Sequence, residues 1–170
     1  MGTKTKKSEF DILELIGEGA FGKVYLGVNR KTQEEVAIKC DECKNDNFVF
    51  QVTLTNEYSN MKEMGPHENI VRVIDRIETE NIYHLTIVFE LLDLDLADFM
   101  DEYHCDGLPL ELISRFTRHI LQALAFLQKN HILHRDIKPA NLMLDLNTNT
   151  LKLCDFGHAT YVTSYVHYCI

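Results

Sequence analysis

The sequence predicts an α+β fold in two parts, a strand-rich first part with one main helix and a helix-rich second part. Three observations predict it. Residues 10–92 are built from short β-branched and aromatic runs broken by turn residues. One helical stretch, around Thr55–Met64, interrupts them and ends at Gly65-Pro66. From Pro109 onward the period changes, and Ile113, Phe116, Ile120, Leu124 and Leu127 recur at spacings of three and four along one face of a helix. The change of character places a boundary near Leu92.

In chain order, Val24–Val28 and Glu35–Lys39 read as strands joined by a turn over Asn29–Glu34, and Ile70–Arg76 and Tyr83–Glu90 read as two more. In the second part Asn130 is expected to stop the long helix in a left-handed conformation. Leu142-Met143-Leu144 and Leu151-Lys152-Leu153-Cys154 flank Asp145–Thr150 as the arms of a hairpin. There is no internal repeat and no low-complexity linker.

The 170 residues are 45% apolar, enough for a core and too many for an intrinsically disordered chain; three Pro and eight Gly exclude collagen-like character. The net charge of −9, acidic in both halves, opposes nucleic acid as a partner. No apolar run approaches the ~18 residues needed to span a bilayer. Met1–Lys7 lacks the apolar stretch of a signal peptide, and Lys6 stands where a myristoylation motif wants Ser or Thr. No membrane partner is expected, and the location is expected to be intracellular, cytoplasmic or nuclear. Five cysteines, Cys40, Cys43, Cys105, Cys154 and Cys169, are odd in number and scattered, as free thiols in a reducing compartment would be; the lone C-x-x-C of Cys40 and Cys43 is a weak zinc signal.

Gly17-Glu18-Gly19-Ala20-Phe21-Gly22-Lys23-Val24 satisfies a dinucleotide G-x-G-x-x-G, most of a Walker A loop, and the glycine-rich loop of a β-hairpin over phosphates. Val24 offers no oxygen to Mg²⁺, and both helix-opening motifs fail because a strand follows. An ordinary glycine-rich hairpin stays open until the rest of the chain is read. Alternation along Val36-Ala37-Ile38-Lys39 puts Ala37 and Lys39 on one face, a small residue beside an ammonium. Glu57, on the expected helix, could hold Lys39 in an ion pair; Glu63 competes for that place. His134-Arg135-Asp136-Ile137-Lys138-Pro139-Ala140-Asn141 and Asp155-Phe156-Gly157 add a carboxylate to orient a hydroxyl and two oxygen ligands, Asn141 and Asp155, for Mg²⁺.

In this order and spacing, the motifs resemble the protein kinase family from Phe10 to Tyr168. The resemblance implies an N-terminal tail at 1–9, an N-lobe and hinge at 10–92, and a partial C-lobe at 93–170 ending in the activation segment. It implies ATP and Mg²⁺ as cofactors and a protein with a Ser or Thr acceptor as substrate. Gly17, Gly19 and Gly22 would cover the phosphates, Val24 and Ala37 roof the base, and Met143 floor it. Phe89 stands at the gatekeeper position, the main chains of Glu90 and Leu92 would meet adenine, Asp95 the ribose, and Cys154 would lie near the base. Lys39 with Glu57 would position the α- and β-phosphates, Asp136 orient the acceptor hydroxyl, and Lys138 offset charge on the γ-phosphoryl. Met61, Val73, His134 and Phe156 fall at regulatory-spine positions, with plain core packing the equal alternative.

Val88–Leu96 looks like the hinge of the cyclin-dependent and mitogen-activated branch, and Lys138, two residues after Asp136, is similar to serine/threonine kinases. Thr163-Ser164-Tyr165 resembles a T-x-Y activation motif, with Arg135 suited to hold a phosphate placed by an upstream activating kinase. No cyclin-binding helix signature precedes Glu57. The chain departs from the family in ending 13 residues after Gly157 with no A-P-E motif, in His158 where an apolar residue is usual, and in Tyr168 and Cys169. The expectation is a serine/threonine kinase region cut short in its activation segment, incomplete for efficient transfer to a peptide, with part of the long helix's apolar face bare. The other reading is a non-catalytic, kinase-like binding or regulatory fragment.

Overall fold

The structure, a computed structural model, describes residues 9–19, 22–40, 48–78, 85–103 and 107–162. Ala20, Phe21, Cys43, Cys105, Cys169 and the Thr163-Ser164-Tyr165 motif lie outside the described residues. Two compact units divide the chain: the described parts of Met1–Tyr58 with Arg72–Leu91, and those of Ser59–Val71 with Leu92–Ile170.

The first unit is built on an antiparallel sheet of β1 (Phe10–Gly19), β2 (Gly22–Asn29), β3 (Glu35–Cys40), β4 (Val73–Glu78) and β5 (Leu85–Glu90), in the order β1-β2-β3-β5-β4. Strand alternation decides the core. Val36 and Ile38 are buried with Phe10 and Val88 on one face, and Tyr25, Cys40 and Ile77 pack against them. Lys39 therefore emerges on the opposite face, where it is also buried. The β1–β2 hairpin closes with Gly19 opposite Gly22, whose φ of 119° only glycine adopts freely. At the next turn the Asn29 side chain accepts the N–H groups of Lys31 at 2.9 Å and Thr32 at 3.3 Å.

Gly27 of β2 has a different reason to be glycine. A Cβ there would overlap Ile38 Cδ1 and stand 2.9 Å from the Asp11 carbonyl oxygen, which belongs to the sheet and cannot swing away. Gly27→Ala is expected to lower stability by about 1–3 kcal/mol through overpacking, seen as a reduced urea midpoint; an unchanged midpoint would contradict this packing.

Helix α1 (Phe48–Met64) runs seven residues further toward the N-terminus than expected. Its added stretch, beginning Phe48-Val49-Phe50, is aromatic and β-branched, so intrinsic helix propensity does not reveal it. The expected strand at Ile70–Arg76 begins instead at Val73. Residues 69–71 join the second unit: Val71 N–H donates to Leu153 O at 3.0 Å, and Leu153 N–H donates to Asn69 O at 2.9 Å. Ser59–Val71 accordingly groups with the later residues in the second compact unit.

The second unit holds α2 (Leu96–Tyr103), α3 (Leu110–Lys129), a sheet of β6 (Leu94–Asp95), β8 (Leu142–Asp145) and β9 (Thr150–Leu153) in the order β6-β8-β9, and a ribbon of β7 (Ile132–Leu133) with β10 (Thr160–Tyr161). The hairpin of β8 and β9 is as expected, with Asp145 opposite Thr150. On the periodic face of α3, Phe116 and Leu127 are buried and Ile120 and Leu124 half-buried, while Ile113 is 44% exposed. The bare part of that face is confined to its first turn. Asn130 is not the left-handed stop. It keeps φ at −93° while its side chain donates to Phe126 O at 2.9 Å, and His131, with φ 57°, makes the turn.

Candidate active site

In the first unit, an ion pair joins β3 and α1. Lys39 Nζ donates to Glu57 Oε2 at 2.7 Å, with the Glu57 side chain 1% exposed. Glu63, the competing carboxylate, lies in the second unit and accepts the Tyr161 hydroxyl at 2.7 Å. Burial, reinforced by that carboxylate, pushes the Tyr161 hydroxyl up to about 12.

In the second unit, the loop between β7 and the 3-10 turn Pro139–Asn141 gathers its polar groups on Asp136. Oδ2 accepts Lys138 Nζ at 2.8 Å and Asn141 Nδ2 at 2.9 Å, and Asn141 Nδ2 also donates to the Asp136 main-chain oxygen at 2.8 Å. Among the described residues, Oδ1 receives no hydrogen bond. The Lys138 hydrogen bond is the main cause holding the Asp136 carboxyl below its usual range, with Asn141 and nearby positive charge adding to it; the same bond raises Lys138.

The scaffold beneath is well determined. His134 Nε2 donates to Cys154 O at 2.9 Å while Nδ1 accepts the Asp136 N–H at 3.3 Å, and the ring meets Phe156 edge-on at 4.8 Å. Cys154 N–H donates to Asn141 O at 3.0 Å, joining the Asp136–Asn141 loop to the Asp155 turn. Asp155 has a left-handed backbone, φ 60° and ψ 73°, ahead of the 3-10 turn Phe156–His158 with Phe156 fully buried. Arg135, at φ 69°, donates through Nε to His158 O at 2.6 Å. Two left-handed non-glycine residues beside one carboxylate are backbone strain of the kind found at working sites.

A family model for the protein kinase domain matches residues 10–169. The chain belongs to the protein kinase domain family. Membership points to the phosphotransferase class and implies use of ATP, usually with Mg²⁺. The α+β architecture expected from the sequence, a β-rich first lobe and a second lobe with most of the helix, is that of the kinase domain. No described helix is long and apolar enough to cross a membrane.

Other residues singled out in the kinase sequence divide between the units. In the first, Gly17, Val24 and Ala37 are half-buried on β1, β2 and β3. The Glu90 N–H donates to Arg72 O at 3.0 Å, so of its main-chain groups only the carbonyl could serve a base. In the second, Leu92, Met143 and Cys154 are half-buried, and Asp95 Oδ1 caps α2 by accepting the N–H groups of Ala97 at 2.8 Å and Asp98 at 3.0 Å. Met61, His134 and Phe156 are buried in this unit, while Val73 lies in the other, half-buried.

Among the described residues no cluster of three or more His, Cys, Asp or Glu could hold a metal by itself. Mg²⁺ does not require one, since it commonly takes one or two side-chain oxygens and completes its shell with phosphates and water. With both Asn141 donor contacts running through Nδ2, its amide oxygen remains available, and the Asp155 carboxylate is a second hard donor. The donor set fits Mg²⁺.

Sequence reasoning missed the partners of His158, noted only for not being apolar, and of Asn60, whose Nδ2 donates to Ala159 O at 3.3 Å. It also missed His119, whose Nδ1 accepts the Leu151 N–H at 3.1 Å. Burial lowers both His119 and His134 below 6.5, and each already accepts a main-chain N–H at Nδ1. The unfolded chain therefore binds more protons than the native one as pH falls below about 6.5, so stability rises with pH up to that value and is lost in acid. Melting temperature is expected to fall between pH 7 and 5.5, and a flat profile across that range would contradict the assignment.

Proposed function

We propose that this kinase domain transfers the γ-phosphoryl of ATP to a Ser or Thr hydroxyl of a protein. The observation that carries the reading is the asymmetry of Asp136, whose Oδ2 is saturated by Lys138 and Asn141 while Oδ1 is left for an incoming hydroxyl. In the transfer, the hydroxyl oxygen bonds to the γ-phosphorus, the bond from that phosphorus to the β,γ-bridging oxygen breaks, ADP leaves, and the hydroxyl proton passes to Asp136 Oδ1. Lys138 offsets charge on the γ-phosphoryl, and Lys39, steadied by Glu57, holds the α- and β-phosphates. Gly17, Gly19 and Gly22 cover those phosphates. Val24, Ala37, Met143 and Cys154 contact the base, the Glu90 carbonyl and the Leu92 main chain hydrogen-bond it, and Asp95 meets the ribose. Mg²⁺, held by Asn141 and Asp155, supplies charge neutralisation for the phosphates.

The acceptor class rests on Lys138, two residues beyond Asp136. The placement among cyclin-dependent and mitogen-activated kinases rests on the hinge-like Val88–Leu96. Control by an upstream kinase rests on Thr163-Ser164-Tyr165 with Arg135, and an intracellular setting on the scattered odd cysteines. The test is incubation of the chain with Mg²⁺ and γ-labelled ATP, using peptides that present Ser, Thr or Tyr. Labelled phosphoserine or phosphothreonine is the expected result. Label on Tyr alone would overturn the acceptor class, and nucleotide binding without transfer would show a non-catalytic kinase fold.

A further inference from the structure

His158 occupies a place in the second unit that neither the family assignment nor the proposed transfer accounts for. Its ring Nδ1 lies 3.9 Å from Asp136 Oδ2, the same oxygen that holds Lys138 and Asn141. That distance is about 1 Å longer than a typical N–H···O hydrogen bond. The main chain beneath the ring is tied by two hydrogen bonds: His158 O accepts Arg135 Nε at 2.6 Å, and Ala159 N–H donates to Phe156 O at 3.0 Å across a turn whose Phe156 is fully buried. The side chain itself is 46% exposed, so the ring can cover the remaining distance without disturbing the core.

The proposed transfer gives Lys138 two claimants. At rest its ammonium is on Asp136, and with nucleotide present it is drawn toward the γ-phosphoryl. Asp136 Oδ2 then loses its charged donor at the moment when Oδ1 must stay aimed at the acceptor hydroxyl. We propose that His158 is a positioning residue that takes over Asp136 Oδ2 as Lys138 turns to the phosphate, keeping the carboxylate in its reactive orientation. Only an Nδ1–H is required, which the neutral ring can supply. An apolar residue at this position could make no such exchange. The inference rests on the reading of Asp136 and Lys138 given above.

Two measurements test it on the full chain. In two-bond proton–nitrogen correlation spectra, Mg²⁺ with a non-hydrolysable ATP analogue is expected to move the His158 Nδ1 resonance in the wild type and not in Asp136→Asn. In steady-state transfer, His158→Leu is expected to lower kcat about tenfold, the scale of one hydrogen bond, with KM for ATP unchanged. His158→Asn, which returns an N–H near the Nδ1 position, is expected to restore most of the loss. An analogue that binds without moving the His158 resonance, a wild-type kcat in His158→Leu, or a loss that Asn does not restore would each overturn the inference. Inactive Asp136→Asn beside fully active His158→Leu would overturn it while leaving the reading of Asp136 intact. Full transfer by Asp136→Asn would overturn that reading, and the inference with it.

Discussion

Replacing Lys39 with methionine is expected to cut phosphate transfer by about a hundred- to a thousandfold, because the proposed transfer then loses a preorganised charge on the phosphates from a site where Lys39 is itself buried. The same change acts on the fold. It removes the ammonium 2.7 Å from a Glu57 carboxylate that is only 1% exposed, and stripping one partner from a buried pair costs about 3–5 kcal/mol. That is a large part of the roughly 5–15 kcal/mol by which a typical domain is stable. The two effects separate in the double variant. Lys39→Met with Glu57→Gln removes the buried charge as well, so its urea midpoint should recover toward the wild type while turnover stays low. Wild-type turnover in Lys39→Met would refute the phosphate role, and a single variant as stable as the wild type would refute the buried pair.

Asp136→Asn should lower kcat by about a hundred- to ten-thousandfold with little change in KM for ATP, since in the proposed transfer the group lost is the one that receives the hydroxyl proton. Asparagine preserves the size of the side chain and keeps one oxygen to accept Asn141 or Lys138, so the loop geometry should survive. A comparable rise in KM for ATP, with kcat preserved, would instead make Asp136 a nucleotide-binding group.

Much of this was legible because the decisive residues lie on short elements where local chemistry speaks clearly. The strand after Gly22, the alternation that sends Lys39 away from Val36 and Ile38, and the β8–β9 hairpin follow from steric and pleat rules with no tertiary information. Where the reading failed, tertiary packing overrode local preference. The first two turns of α1 have the composition of a strand, and Ile70 and Val71 are as β-prone as Val73, yet they are claimed by Leu153 across the second unit. Asn130 has the right side chain for a left-handed stop but uses it to cap Phe126, which moves the stop to His131. For the site, residue identity pointed to Asp136, Lys138 and Asn141. That their donors converge on one oxygen, and that His158 stands next in line for it, depends on backbone angles at Arg135 and Asp155 that no spacing encodes.

The ribbon of β7 and β10 has a kinetic consequence. Among the described residues it pairs Thr160 with Leu133 and Tyr161 with Ile132, and one further bond, Val162 N–H to His131 O at 2.7 Å, extends it. At about 0.5–1.5 kcal/mol net per hydrogen bond, releasing this ladder costs far less than unfolding the unit around Phe116, Ala123 and Leu127 of α3. In heavy water the ribbon's bonded amides should therefore exchange through brief local openings, while those of the inner turns of α3 wait for the whole unit to unfold. Each opening would also loosen the neighbouring His158 carbonyl from Arg135. The surroundings of Asp136 then fluctuate on the clock of that ladder, and the scaffold that carries them keeps a much slower one.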